Sequence, residues 1–149
     1  MKTLVRCCLL GFLLAATGAG ATDGDYTVTA GRGLKAVYVG QEAALAAQNL
    51  GTPRDALYGF IYLYDLPDGT KLSYRVVDKR IESVSFVGGS LSRYSTGRGG
   101  KFGMTRAQIE AVYGKPDAEA ANKIFYNRLG IGFFFIAGSV SEIWVFAPR

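Results

Sequence analysis

Two windows of this chain align without a gap, and that correspondence narrows the possible folds more than any other feature. Residues 39–53 (VGQEAALAAQNLGTP) lie over residues 102–116 (FGMTRAQIEAVYGKP), so that Gly40, Ala44, Gly51 and Pro53 fall on Gly103, Ala107, Gly114 and Pro116, 63 positions on. Upstream, Gly31-Arg32-Gly33-Leu34-Lys35 echoes Gly97-Arg98-Gly99-Gly100-Lys101. Self-similarity at a fixed spacing indicates one supersecondary unit used twice. Each window reads as a short helix. In the second, Thr105 with Gln108 three residues on forms a capping box, and Ile109, Val112 and Tyr113 share one face. In the first, Ala43, Ala46, Ala47 and Leu50 make a thinner stripe. Gly51 and Gly114 suit left-handed helix exits, and Pro53 and Pro116 forbid continuation.

Strands are expected after each helix. Residues 57–64 (LYGFIYLY) alternate, with Leu57, Gly59, Ile61 and Leu63 on one side and Tyr58, Phe60, Tyr62 and Tyr64 on the other. Residues 66–70 (LPDGT) make a turn, followed by strands at 71–77 and 81–87. In the second half the strands fall at 123–127, 131–136 and 140–146, with a tight turn at 137–139. The fold expected is α+β, in two repeats, each a short helix (or helix pair) followed by a three-stranded antiparallel meander. The first repeat spans 22–88 and the second 101–149, with residues 89–100, rich in Gly and Ser, as a mobile linker.

The beginning of the chain reads as a signal peptide over residues 1–21. Lys2 and Arg6 precede the apolar run 7–16 (CCLLGFLLAA), which is too short to span a bilayer, and Ala19 and Ala21 offer a cleavage site before Thr22. Cys7 and Cys8 open that run, where a lipobox would need a cysteine after it. The expectation is a periplasmic or secreted protein with no stable membrane anchor.

Composition then removes function classes. Both cysteines lie in the leader, so no disulfide is expected, and with no histidine anywhere the usual triads, acid–base pairs and zinc sites lose their commonest member. Loss of Lys2 and Arg6 lowers the net charge from +5 to +3, too slight an excess to suggest nucleic acid. Asp65, Asp68, Asp78 and Glu82 sit beside turns, where solvated charge and turn formation explain them better than a facing catalytic pair. The glycine-rich stretches around Arg32 and Arg98 lack the Walker spacing and read as loops leading into helices. No catalytic residue, metal ligand or cofactor is expected. Small-ligand binding or hydrolysis in the envelope is the alternative reading.

The aromatic residues carry the positive expectation. Tyr58, Phe60, Tyr62 and Tyr64 on one strand, and Trp144 and Phe146 on another, are expected to point away from the helices and meet another protein. Tyr and Trp join apolar area to a polar tip, as interface anchors do. The plainer alternative is that other parts of the chain bury this face.

Phe102-Gly103-Met104-Thr105, Tyr113-Gly114-Lys115-Pro116-Asp117, Leu129-Gly130-Ile131 with Phe133, and Val140 with Ile143 together resemble the small envelope modules of the SmpA/OmlA (BamE) type. They also resemble the β-lactamase-inhibitory-protein repeat that shares that fold. The resemblance covers the second half, and the first half only through its echo. It implies a helix on a three-stranded sheet and, for a tandem pair, a concave sheet surface that grips a protein. This chain departs from the inhibitory repeats in having no disulfide cysteines, and from the assembly lipoproteins in having no lipobox and in being doubled. The expected function is an exported, non-catalytic protein-binding module, acting as an inhibitor-like or envelope accessory protein.

Overall fold

A computed structural model of the chain describes residues 26–149, so the expected signal peptide lies outside the described residues. In chain order the elements are β1 (Thr27–Val28), α1 (Ala43–Leu50), β2 (Asp55–Leu57), β3 (Ile61–Asp65), β4 (Lys71–Val77), β5 (Arg80–Val87), β6 (Ser95–Thr96), α2 (Arg106–Tyr113), β7 (Ala118–Ala120), β8 (Lys123–Tyr126), β9 (Ile131–Ile136) and β10 (Ser139–Phe146). A 3₁₀ turn, Asn127–Leu129, joins β8 to β9. The protein is α+β. Eight strands form one antiparallel sheet in the order β2-β3-β4-β5-β10-β9-β8-β7, and β1 pairs with β6 in a separate, parallel two-strand ladder.

The helices fall within the two aligned windows, one in each, with no second α-helix in either half of the described chain. In α2, Thr105 Oγ1 accepts from the Gln108 backbone N–H while the Gln108 side chain accepts from the Thr105 N–H, which satisfies two otherwise orphan donors. Ile109 and Tyr113 are its buried face. The first helix has no side-chain cap at Glu42 and buries only Ala46. Both end on glycine, Gly51 at φ 80°, ψ −154° and Gly114 at φ 84°, ψ −164°. The φ is positive, as expected, but ψ lies far from the left-handed helical value, in a region that essentially only glycine occupies.

Four strands of the eight-stranded sheet follow each helix rather than three. The additional ones, β2 and β7, are the two edges of the sheet and hold no buried residue, so they carry no apolar alternation to reveal them. The run 57–64 is not one strand. Tyr58 and Gly59 both take positive φ, 54° and 73°, and the Phe60 N–H donates to the Leu57 carbonyl at 3.2 Å, which makes a tight hairpin turn. The chain reverses there, with Leu57 opposite Ile61.

One face of the sheet is the core. Tyr64, Leu72, Tyr74, Val84, Phe86, Ile124, Tyr126, Ile131, Phe133, Ile143 and Val145 are all buried on it. Every other element packs on this side. Tyr113 of α2 meets the rings of Tyr126 and Phe133, 5.0 and 5.3 Å between centroids, and Ala46 of α1 enters the same cluster. Burial, followed by the negative charge of Glu110, pushes the Tyr126 phenol up to about 12. The N-terminal arm adds Val28, Leu34 and Val37.

Residues 89–100, expected as a mobile linker, lend Tyr94, Thr96 and Gly100 to the core layer while Leu91 stands 93% exposed. Tyr94 is buried and stacks on Phe86 at 5.9 Å, and Thr96 is buried within β6. Asp68 fastens this segment to the β3–β4 turn, accepting from the backbone N–H of Arg93 and of Thr70 at 2.9 Å each. Burial alone would raise the Asp68 carboxyl, but those N–H donors outweigh it and hold it below its ordinary value. The Gly/Ser content here serves tight backbone paths around one aromatic anchor. No helix of the described residues is long and apolar enough to cross a membrane.

Candidate functional site

Strand alternation decides what the opposite face of the sheet presents. Since Tyr64, Leu72, Tyr74, Val84, Phe86, Ile143 and Val145 point to the core, their neighbours Ile61, Leu63, Ser73, Arg75, Ser83, Ser85, Trp144 and Phe146 point outward. The 3₁₀ turn at Asn127 and the chain end at Arg149 border one end of this face, and Phe60 of the hairpin turn lies beside Arg75. In the middle of this face lie three serines, Ser73 and Ser85 directly paired and Ser83 opposite Phe146. Small side chains there leave a trough. Two adjoining hollows, of about 320 and 380 Å³, share Arg75, Ser83, Trp144 and Phe146 in their lining. The larger also reaches Phe125, Asn127 and Arg149.

Ile61 of β3 forms one wall of this trough and an aromatic group forms the other. Phe125 of β8 lies 6.0 Å from Trp144 and 6.4 Å from Phe146, centroid to centroid. Its position depends on Gly132 in the intervening strand β9. A Cβ at that residue would stand 2.7 Å from the Phe125 ring, so only glycine lets the ring lie across the sheet there. Lys123 Nζ stands 4.8 Å above the Trp144 ring and 5.2 Å above that of Phe134. Such contacts attract a cation to the negative face of the π-system.

The carboxylates of this face are engaged. Glu142 Oε1 accepts from Ser85 Oγ and from Trp144 Nε1, which fixes the indole plane. Glu82 pairs with Arg75 at 3.3 Å, and Asp65 with Arg54 at 3.2 Å. Lys71 and Lys123, on the same face, have no carboxylate within ion-pair distance among the described residues. The described residues hold no group of three or more Asp, Glu, Cys or His placed to bind a metal. What the arrangement can do is offer apolar area, a fixed indole and unneutralised positive charge to something that lies in the trough.

The aromatic residues singled out from the sequence divide three ways. Trp144 and Phe146 are on the open face, half-buried. Tyr64 is not: it is 5% exposed on the core face, its hydroxyl 3.2 Å from that of Tyr74. Tyr62 is on the core side too, stacked on Tyr74 at 5.2 Å. Tyr58 and Phe60 lie in the hairpin turn, 5.9 Å apart, with Tyr58 84% exposed and the Arg75 guanidinium 5.7 Å from the Phe60 ring. The reason lies in the pairing of β3 with β4, which sets Tyr62 and Tyr64 beside the buried Tyr74 and Leu72, so Ile61 and Leu63, expected inside, face outward. Phe125, Phe134 and Lys123 went unremarked in the sequence, although the alternation of Lys123 and Phe125 with Ile124 and Tyr126 places them on the open face. No family model, no curated protein and no solved structure matches this chain, so its likeness to the envelope modules rests on the quoted residues alone.

Proposed function

We propose that this chain is an exported, non-catalytic protein-binding module made of two helix-plus-sheet repeats, acting through its open sheet face as an inhibitor-like or envelope accessory protein. The observation that carries this reading is the trough between Ile61 on one side and Trp144, Phe146 and Phe125 on the other. Aromatic anchors held by hydrogen bonds and bordered by charge are the usual makings of an interface hot spot. Duplication is supported by the order of elements. The helices and the strands β2 and β7 begin 63 residues apart, a spacing that falls to 59 at β5 and β10. The sheet order also reads alike from both edges, with β5 and β10 in the middle. Export is supported by the signal-like residues 1–21.

The test is capture from an envelope extract with the protein as bait, in parallel with Trp144→Ala and Tyr64→Ala. Trp144→Ala should keep its melting temperature and weaken capture by about 2 kcal/mol or more. Tyr64→Ala should instead lose about 3–5 kcal/mol of stability, as a buried aromatic does. An inhibitor would abolish the captured enzyme's activity stoichiometrically, whereas an accessory protein would arrive with an intact envelope complex. If Trp144→Ala captures the same partners as strongly as the parent, the open face is not the binding site.

A further inference from the structure

The charges of the open face point to the chemistry of what lies on it. Four carboxylates are spread across this face, and each is engaged within the chain: Asp65 by Arg54, Glu82 by Arg75, Glu142 by Ser85 and Trp144, and Asp55, opposite Leu63, by the backbone N–H of Ala56. The lysines are not. Lys71 is exposed two residues before Ser73, opposite Asp65, whose carboxylate Arg54 holds, so Lys71 itself closes no ion pair. Lys123 lies beyond the far wall, resting its ammonium on Trp144 and Phe134 rather than on any carboxylate. The two free cations thus flank the trough on opposite sides, one on β4 and one on β8, four strands apart in the sheet order.

Resting on the protein-binding reading, we infer that the occupant of this trough is an acidic protein segment, with an apolar side chain seated against Trp144 and Phe146 and carboxylates reaching Lys71 and Lys123. Charge complementarity of this kind governs encounter and partner choice more than it adds raw affinity. Like-charged partners are excluded for the same reason, and so is a second copy of this chain laid face to face, since it would set lysines against lysines. A glycan stacked on Trp144 would leave both lysines without a role. The ammonium over the indole also gives the contact a built-in exchange: on binding, Lys123 trades a cation–π contact for a carboxylate, uncovering the ring for the apolar side chain.

Selection of displayed random peptides on the immobilised protein tests this without presupposing a sequence. The selected peptides should be enriched in Asp and Glu around one apolar residue. A synthetic peptide of the enriched sequence should lose about tenfold or more in affinity to Lys71→Glu/Lys123→Glu, and its binding should weaken as salt is raised. Both substitutions are on the sheet surface, and an unchanged melting temperature shows that the variant is folded. A second variant, Lys71→Gln/Lys123→Gln, removes the attraction without adding repulsion and should lose affinity to a smaller extent. Neutral or basic peptides that bind the parent and fail on Trp144→Ala would overturn the acidic partner while leaving the sheet-face reading standing. Enriched peptides indifferent to Trp144→Ala, concentration-dependent dimers, or binding only to glycans would overturn both.

Discussion

Tyr64 and Tyr74 share one hydrogen bond in the core, and its removal can be worked through in numbers. Tyr64 is 5% exposed and Tyr74 2%, their hydroxyls are 3.2 Å apart, and their rings stack at 5.8 Å. Burial, with the Tyr64 hydroxyl adding to it, holds the Tyr74 phenol well above its ordinary range, so it is protonated in any neutral buffer. Tyr64→Phe keeps the ring and leaves the Tyr74 hydroxyl buried without its partner. An orphaned buried group costs about 1–3 kcal/mol. Tyr74→Phe should cost a similar amount by orphaning Tyr64. The double variant removes donor and acceptor together and leaves apolar rings in the same stack, so it should lose less than the sum of the singles. A coupling of about 1 kcal/mol is expected. Urea unfolding followed by Trp144 fluorescence would read this, and each single variant should also melt below the parent by about 3–6 °C for every kcal/mol lost. Strict additivity, or single variants within about 0.3 kcal/mol of the parent, would refute the idea that the two hydroxyls depend on one another.

Gly114→Ala and Gly51→Ala should each destabilise by about 1–3 kcal/mol although open space surrounds both positions, because the cost lies in the backbone conformation and not in a clash. Thermal midpoints equal to the parent's would show that the helix exits relax to ordinary angles. Acid should act through Asp68. Its folded pKa is lowered, so its stabilisation is full above the unfolded value and is lost as pH falls below about 4 through the folded one. Asp68→Asn should therefore be less stable than the parent at neutral pH, with the gap closing as the medium is acidified. A gap that stays constant across a pH series of melting curves would exclude that linkage.

Legibility of the fold from the residues followed how local each cause was. The capping box at Thr105 and Gln108 is complete within four residues, and α2 is where it indicates. Strands β4 and β9 have the expected bounds because their apolar residues face a core on at least one side. Edge strands β2 and β7 bury nothing, so no pattern marks them. Tyr58–Gly59 shows the harder case. The glycine inside the run from Leu57 to Tyr64 marked a turn, and the two faces of β3 were exchanged because its aliphatic residues were taken for the core set, whereas its tyrosines stack on Tyr74. In β10, past the irregularity between Val140 and Glu142, the alternation is unbroken, with Ile143 and Val145 buried and Trp144 and Phe146 on the other side. Tyr94 was hidden by its neighbours: a single aromatic among serines and glycines looks like linker until a ring such as Phe86 is known to lie beneath it.

The position of β10 bears on when this molecule can fold at all. It is the last strand in chain order among the described residues, yet it occupies the middle of the sheet, with Ser83–Val87 along one side and β9 along the other. While a chain emerges vectorially, everything before Ser139 can form at most two separate flanks, each with an open inner border. The pairing that unites them joins residues as far apart as Ser83 and Phe146, a distant closure of the kind that slows folding. A polypeptide built this way cannot join the two flanks of its sheet until Ser139–Phe146 is in place. Shortening it by β10 would accordingly remove the keystone of the sheet rather than trim its margin.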